Sequence, residues 1–183
     1  MSIPRRLALF LVLVAMSAGP ALLAPGSANA GPPKCEWKGD KDPFTGEDAR
    51  HVYQSYWFGS LSYLFYPAKG DDVRVEVRVK YGAATTKEWT KPIRLLLLDE
   101  TVVDLTPTEP VPGSVQATSD AVTTYFEIPI TLAKSEAEKI YKAGGVSQVR
   151  FDFPDGKDHD QKFKKKDYTD LATLAWCAVN GAE

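Results

Sequence analysis

The sequence predicts an α+β fold in a single domain, with one twisted antiparallel sheet of about six to eight strands and two short helices. Three observations carry this expectation. Residues 73–81 alternate without a fault: Val73, Val75, Val77, Val79 and Tyr81 on one side, Arg74, Glu76, Arg78 and Lys80 on the other. A period of two with one apolar and one charged face belongs to an antiparallel strand that is wet on one side. Further strand-like runs follow between Gly, Pro and Asp turns. No alternating strand–helix series points to a doubly wound parallel sheet.

The elements follow in order. Residues 31–46 hold Pro32, Pro33, Gly39, Pro43 and Gly46 and read as an extended tail ending in a turn at Asp42-Pro43-Phe44-Thr45-Gly46. Residues 52–66 are aromatic and strand-like, with Gly59 as a bulge or bend. Residues 93–98 form an apolar run expected to be buried on both faces. Asp99-Glu100 turns it into a hairpin partner at 101–105. Residues 106–120 are rich in Pro, Ser and Thr and read as a long loop. Residues 123–130 are a strand with Tyr125 and Phe126 on opposite sides of the pleat. A short helix capped by Thr131 or Ser135 runs through Lys142, with Ile140 and Tyr141 on its apolar side, and stops at Gly144-Gly145. Residues 146–153 are a strand with Val149, Phe151 and Phe153 on one face. Asp155-Gly156 is a hairpin turn with a return strand at 161–163. The last helix takes Asp167 as N-cap, spaces Tyr168, Leu171, Leu174, Ala175 and Ala178 helically, and ends at Asn180-Gly181.

Residues 1–30 read as a cleavable signal peptide. Arg5 and Arg6 precede an apolar run over 7–15, and Ala28-Asn29-Ala30 offers small residues for cleavage after Ala30. Gly19, Pro20, Pro25 and Gly26 break the apolar stretch, which is too short to cross about 30 Å of hydrocarbon. The expected location is therefore secreted or periplasmic, without stable membrane insertion after cleavage. Residues 31–183 form the single domain. They keep all 24 acidic residues and 20 of the 22 basic ones, a formal charge of −4. That balance argues against nucleic acid and anionic membrane surfaces. The chain has only two cysteines, Cys35 and Cys177. In an oxidising compartment they are expected to form one disulfide joining the last helix to the start of the exported chain.

Four side chains are candidate ligand-binding residues: Tyr53, Tyr56, Trp57 and Tyr63. Rings of this kind stack on sugars and apolar ligands, and they also fill strand cores. The neighbours Gln54, Ser55, Ser60 and Ser62 favour a partly open face. The acidic turn Asp152, Asp155, Asp158, His159, Asp160 lacks the spacing of a calcium loop and reads as a solvated hairpin. No metal site and no cofactor are expected. Nucleophilic catalysis needs a base, and only His51 and His159 are available, with no nucleophile elbow in the sequence. Lys162, Lys164, Lys165 and Lys166 read as a solvated approach to the last helix.

Cys35-Glu36-Trp37 together with Asp42-Pro43-Phe44-Thr45-Gly46-Glu47 resembles the start of small exported bacterial proteins of uncharacterised function. The strand–helix–strand piece from Tyr125 to Phe153 resembles a unit of such proteins. The resemblance implies no catalytic residues. A lipocalin would show Gly-x-Trp on its first strand, whereas Cys35-Glu36 precedes Trp37 here. The expectation is a non-enzymatic binding or interaction module of the bacterial cell envelope, with an envelope protein as partner. A carrier or sensor of a small apolar or sugar ligand is the first alternative, and a hydrolase the second.

Overall fold

A computed structural model of the chain describes residues 32–40, 48–56 and 60–181. The expected signal peptide at 1–30, the expected turn at 42–46, Trp57 and Gly59 lie outside the described residues. The elements run β1 (Val52–Tyr56), β2 (Leu61–Phe65), β3 (Asp72–Tyr81), β4 (Ile93–Leu97), β5 (Val102–Leu105), β6 (Ser114–Ala117), β7 (Val122–Ala133), α1 (Lys134–Lys142), β8 (Val146–Asp152), β9 (Asp158–Lys162) and α2 (Asp170–Asn180). The class is α+β, and every strand pair is antiparallel. The single sheet is corrected. Among the described residues the nine strands divide into a five-stranded sheet, β1-β2-β3-β7-β6, and a four-stranded sheet, β5-β4-β8-β9. A sheet with one apolar face must bury it against another layer, and here a second sheet and two helices share that task.

In β3 the register alternates as the sequence predicts. Val73, Val75, Val77 and Val79 are buried, while Arg74, Arg78 and Lys80 are exposed. Its neighbour is β7, whose Phe126, Ile128, Ile130 and Leu132 extend the same buried face. Residues 52–66 are two strands of a hairpin, not one bent strand, with Val52 opposite Phe65 and Tyr56 opposite Leu61. The expectation that 93–98 is buried on both faces also fails. Ile93, Leu95 and Leu97 are buried, but Arg94 is exposed and Leu96 half-buried, so the second face of the strand is not part of the core. The long loop at 106–120 contains the edge strand β6. Pro129 sits inside β7 at no cost to the ladder. Its carbonyl accepts from Thr108 N at 3.1 Å, so its missing N–H points to the sheet edge rather than to β3.

Trp89 joins the layers. Its ring lies edge-on to Phe126 of the first sheet at 5.3 Å between centroids and to Phe151 of the second at 6.3 Å. Both helices complete the core: α2 packs on β1, β2 and α1, and α1 packs on β3 and β7. Neither helix uses the cap expected of it. Thr131 lies within β7 and Ser135 within α1, and the first helical N–H, of Lys134, donates to Asp71 O at 2.7 Å. Asp167 ends a short 3-10 turn, Lys165–Asp167, and α2 starts after Thr169. Gly144 and Gly145 end α1 at φ +79° and +150°. A Cβ on Gly145 would stand 2.2 Å from Tyr168 O, so glycine is needed there for space as well as for conformation.

Cys35 and Cys177 form the expected disulfide, with Cα atoms 5.6 Å apart across a sequence separation of 142. Trp37 Nε1 donates to Gly181 O at 3.1 Å, and Ala68 N donates to Ala178 O at 2.8 Å. The end of α2 is thus held from two sides. No helix among the described residues is long and apolar enough to cross a membrane.

Candidate functional site

The two sheets part along one edge into an open cleft of about 320 Å³. Its walls come from both layers. Leu61 and Val79, cross-strand neighbours on β2 and β3, form one side together with Tyr81. Phe151 and Phe153 form the other, and Ser60, His159 and Gln161 supply the polar rim, while the Lys80 side chain lies on the opposite face of β3, 5.9 Å from the Tyr125 ring centre. The Asp155-Gly156 turn makes this arrangement. Gly156 adopts φ +88° and folds β9 back on β8, which sets His159 opposite Phe151 and Gln161 opposite Val149.

The cleft floor continues an aromatic chain out of the core. Tyr81 stacks on Phe153 at 4.7 Å and 30°, and Phe153 meets Trp89 edge-on at 5.3 Å. Such contacts fix ring orientation beyond what burial alone achieves. Tyr81 OH donates to Asp155 Oδ2 at 2.5 Å, and Lys157 Nζ stands 3.3 Å from the same oxygen. The tyrosine hydroxyl holds the Asp155 carboxyl below its usual range, and the carboxylate in turn raises the Tyr81 phenol. That hydrogen bond ties the Tyr81 side of the cleft to the turn between β8 and β9.

The sequence-predicted aromatic residues do not line this cleft. Tyr53 is 36% exposed on the outer face of the first sheet, with Lys38 Nζ 5.0 Å from its ring centre and Ser62 Oγ 3.5 Å from its hydroxyl. Tyr56 is buried, packs edge-on to Phe163 at 4.8 Å and donates its hydroxyl to Asp170 at 3.3 Å. Tyr63 is fully buried opposite Gln54 and Val77. Tyr53 and Tyr56 stand three residues apart on one strand, and a pleat sends such a pair to opposite faces. Tyr53 thus stands apart from Tyr56 and Tyr63, whose rings meet edge-on at 6.2 Å on the buried face. Burial raises the phenol pKa of both Tyr56 and Tyr63.

Each histidine contacts an oxygen two residues away. His51 Nδ1 lies 3.2 Å from Ala49 O, and its ring leans on Tyr66 at 5.5 Å. His159 Nε2 lies 3.3 Å from Gln161 Oε1. Both contacts are to amide oxygens. The acidic turn is divided among partners. Asp155 serves Tyr81, and Asp160 accepts two bonds from Arg150, each of 2.6 Å. Among the described residues no group of three His, Cys, Asp or Glu side chains is placed to hold a metal. The lysines at 162, 164, 165 and 166 are exposed, as the charge run predicts.

Comparison with protein-family models, curated proteins and solved structures finds no match to this chain. The site therefore rests on its own geometry. Sequence reasoning placed Phe151 and Phe153 on one face and Tyr81 at the end of a strand. It lacked the pairing that turns their ends into one wall. The sole sequence signal was His159 and Gln161 alternating beyond the Asp-Gly turn, which sets polar groups opposite an aromatic strand.

Proposed function

We propose that this chain is an exported, non-enzymatic binding module of the bacterial cell envelope that takes its ligand in the cleft between the sheets. The observation that carries this reading is the lining: an apolar, aromatic floor of Tyr81, Phe151 and Phe153 beneath a rim of Ser60, His159 and Gln161. Preformed apolar pockets with a few polar groups at the mouth are the usual form of small-ligand sites. The ligand class this suits has a flat apolar face, as an aromatic ring or a sugar ring does, and a polar edge that meets His159 and Gln161. The small-ligand alternative thus becomes the specific content of the binding reading. Cys35–Cys177 supports export, since such bridges persist in oxidising compartments.

The non-enzymatic part draws support from the two histidine environments, which offer neither a nucleophile nor an orienting carboxylate. The test uses anilinonaphthalene sulfonate as a ring-plus-anion probe. Saturable binding should shift the amide resonances of Gly82, Phe153 and Gln161, and Gln161→Ala should weaken it without lowering thermal stability. Binding that leaves those resonances unmoved refutes the site. Hydrolysis of a nitrophenyl ester that disappears in His159→Ala refutes the non-enzymatic reading.

A further inference from the structure

A second surface lies away from the cleft, on the free edge of the first sheet. The turn bond from Thr118 N to Ala121 O is 2.8 Å long, which makes these residues a hydrogen-bonded antiparallel pair. Every second pair toward the strand interior is then bonded in the same way: Gln116 with Thr123, and Ser114 with Tyr125. The Thr108 N to Pro129 O bond has the same parity, since residues 129, 127, 125 and 123 all aim their backbone groups at this edge. The intervening residues of β6, Val115 and Ala117, therefore point their N–H and C=O groups outward. All four β6 residues are exposed.

Sheet edges are ordinarily blunted by charge, cover or proline, because an open ladder recruits other chains. The other edges of this protein carry such devices. β9 has Asp158, Asp160 and Lys162 among its five residues. β5 presents Asp104, 4.0 Å from Arg94. The entry to β1 is bonded to the N-terminal segment through Lys38 and His51 at 2.8 and 2.9 Å. β6, Ser-Val-Gln-Ala, carries no charge and no proline. Along its outer face runs a groove of about 520 Å³, lined by the β6 side chains Ser114 and Gln116, by Tyr125, and by the carboxylates of Glu109 and Glu127. Arg78 is 3.7 Å from Glu127 but bonds mainly to Glu76 at 2.7 Å. Lys80 Nζ lies 5.9 Å from the Tyr125 ring centre. No basic side chain lines the groove itself.

We propose that β6 is a strand-addition site for an extended, basic segment of a partner polypeptide. The segment would pair antiparallel or parallel with the outward groups of Val115 and Ala117. Its alternate side chains would then fall on the groove face, and charge complementarity with Glu109 and Glu127, beside the Tyr125 ring, selects lysine or arginine there. This reading is independent of the cleft and of what the cleft binds.

The test uses the capped hexapeptide Lys-Val-Lys-Val-Lys-Val on the full exported chain. It should bind saturably and slow amide exchange at Val115 and Ala117. Val115→Pro removes one outward N–H and leaves the β6–β7 ladder intact. It should weaken binding about tenfold or more, as loss of a charge-flanked backbone bond implies, with unchanged thermal stability. Glu109→Gln with Glu127→Gln should also weaken it and flatten its salt dependence. The glutamate counterpart peptide and a backbone N-methylated version should not bind. No binding by the lysine peptide overturns the proposal. So does binding that survives both Val115→Pro and N-methylation, which would mean a groove that holds cations without strand pairing. Self-association of the chain that Val115→Pro abolishes overturns the basic partner and assigns the edge to a second copy.

Discussion

Tyr63→Phe removes one oxygen from the core and should make the protein more stable. The Tyr63 side chain has no exposed surface, and its hydroxyl has no hydrogen-bond partner among the described residues. A buried, unpaired hydroxyl forfeits its bonds to water on folding, a cost of about 1–3 kcal/mol. Deleting it leaves a void on the order of 10 Å³, which costs about 0.2 kcal/mol at ~24 cal/mol per Å³. The net gain is about 1–2 kcal/mol, or a rise in Tm of a few degrees, at about 2–4 °C per kcal/mol for a domain of this size. Tyr56→Phe is the control. Its hydroxyl donates to Asp170 at 3.3 Å, and losing that bond strands a half-buried carboxylate, so it should cost about 1 kcal/mol. Urea unfolding with the disulfide intact measures both, and m should not change. A Tyr63→Phe variant that is less stable than the parent by more than about 0.5 kcal/mol refutes the reasoning, since the hydroxyl must then have a partner.

Thiol titration of denatured, unreduced protein should find no free sulfhydryl, and Cys177→Ser should lower stability by a few kcal/mol, up to about 5 for so long a loop. Val77→Ala, at a fully buried position, should cost on the order of 1–3 kcal/mol, whereas Arg78→Ala on the opposite face should change stability by less than about 1 kcal/mol; comparable losses in chemical denaturation would contradict the assigned faces. Gly145→Ala drives a Cβ to 2.2 Å from the Tyr168 carbonyl at φ +150° and should cost more than about 2 kcal/mol, read as a drop in Tm. Asp160 is held below the usual carboxylate range by the Arg150 hydrogen bonds, so its stabilisation is present above its unfolded pKa of about 4 and is lost as pH falls through the lower folded value. Stability–pH curves of the parent and Asp160→Asn should therefore separate above about pH 4 and converge in acid; a constant gap across that range would show that Asp160 does not act through its charge.

The local elements were legible wherever one residue's neighbours in sequence are also its neighbours in energy. The alternation in β3 names its own buried face, because a period of two admits one sidedness. The Asp155-Gly156 and Gly144-Gly145 turns could be read because they require positive φ. Two cysteines and an expected export signal left one simple pairing, and Cys35–Cys177 is bonded. Caps were misread because Thr131, Ser135 and Asp167 suit a cap by residue type, while the helix starts were placed by what precedes them: β7 runs straight into α1, and a 3-10 turn leads into α2.

The division into two sheets was not legible. It depends on β3 pairing with β7 across more than forty residues instead of with β4, and strand propensity carries no information about partners that distant. The same non-local choice decided the candidate site. Leu61, Val79, Phe151 and His159 come from four strands in two sheets, so no spacing in the chain could join them. It also decided which aromatics face solvent: Tyr53 and Tyr56 share a strand and part at the pleat, and only the position of α2 and the second sheet says which side is dry. Sequence alone determined the class, the strong strands, the turns and the disulfide, because those follow from short-range sterics, periodicity and redox context. Tertiary structure decided the layers, the cleft and the open edge, because those follow from which apolar faces found each other.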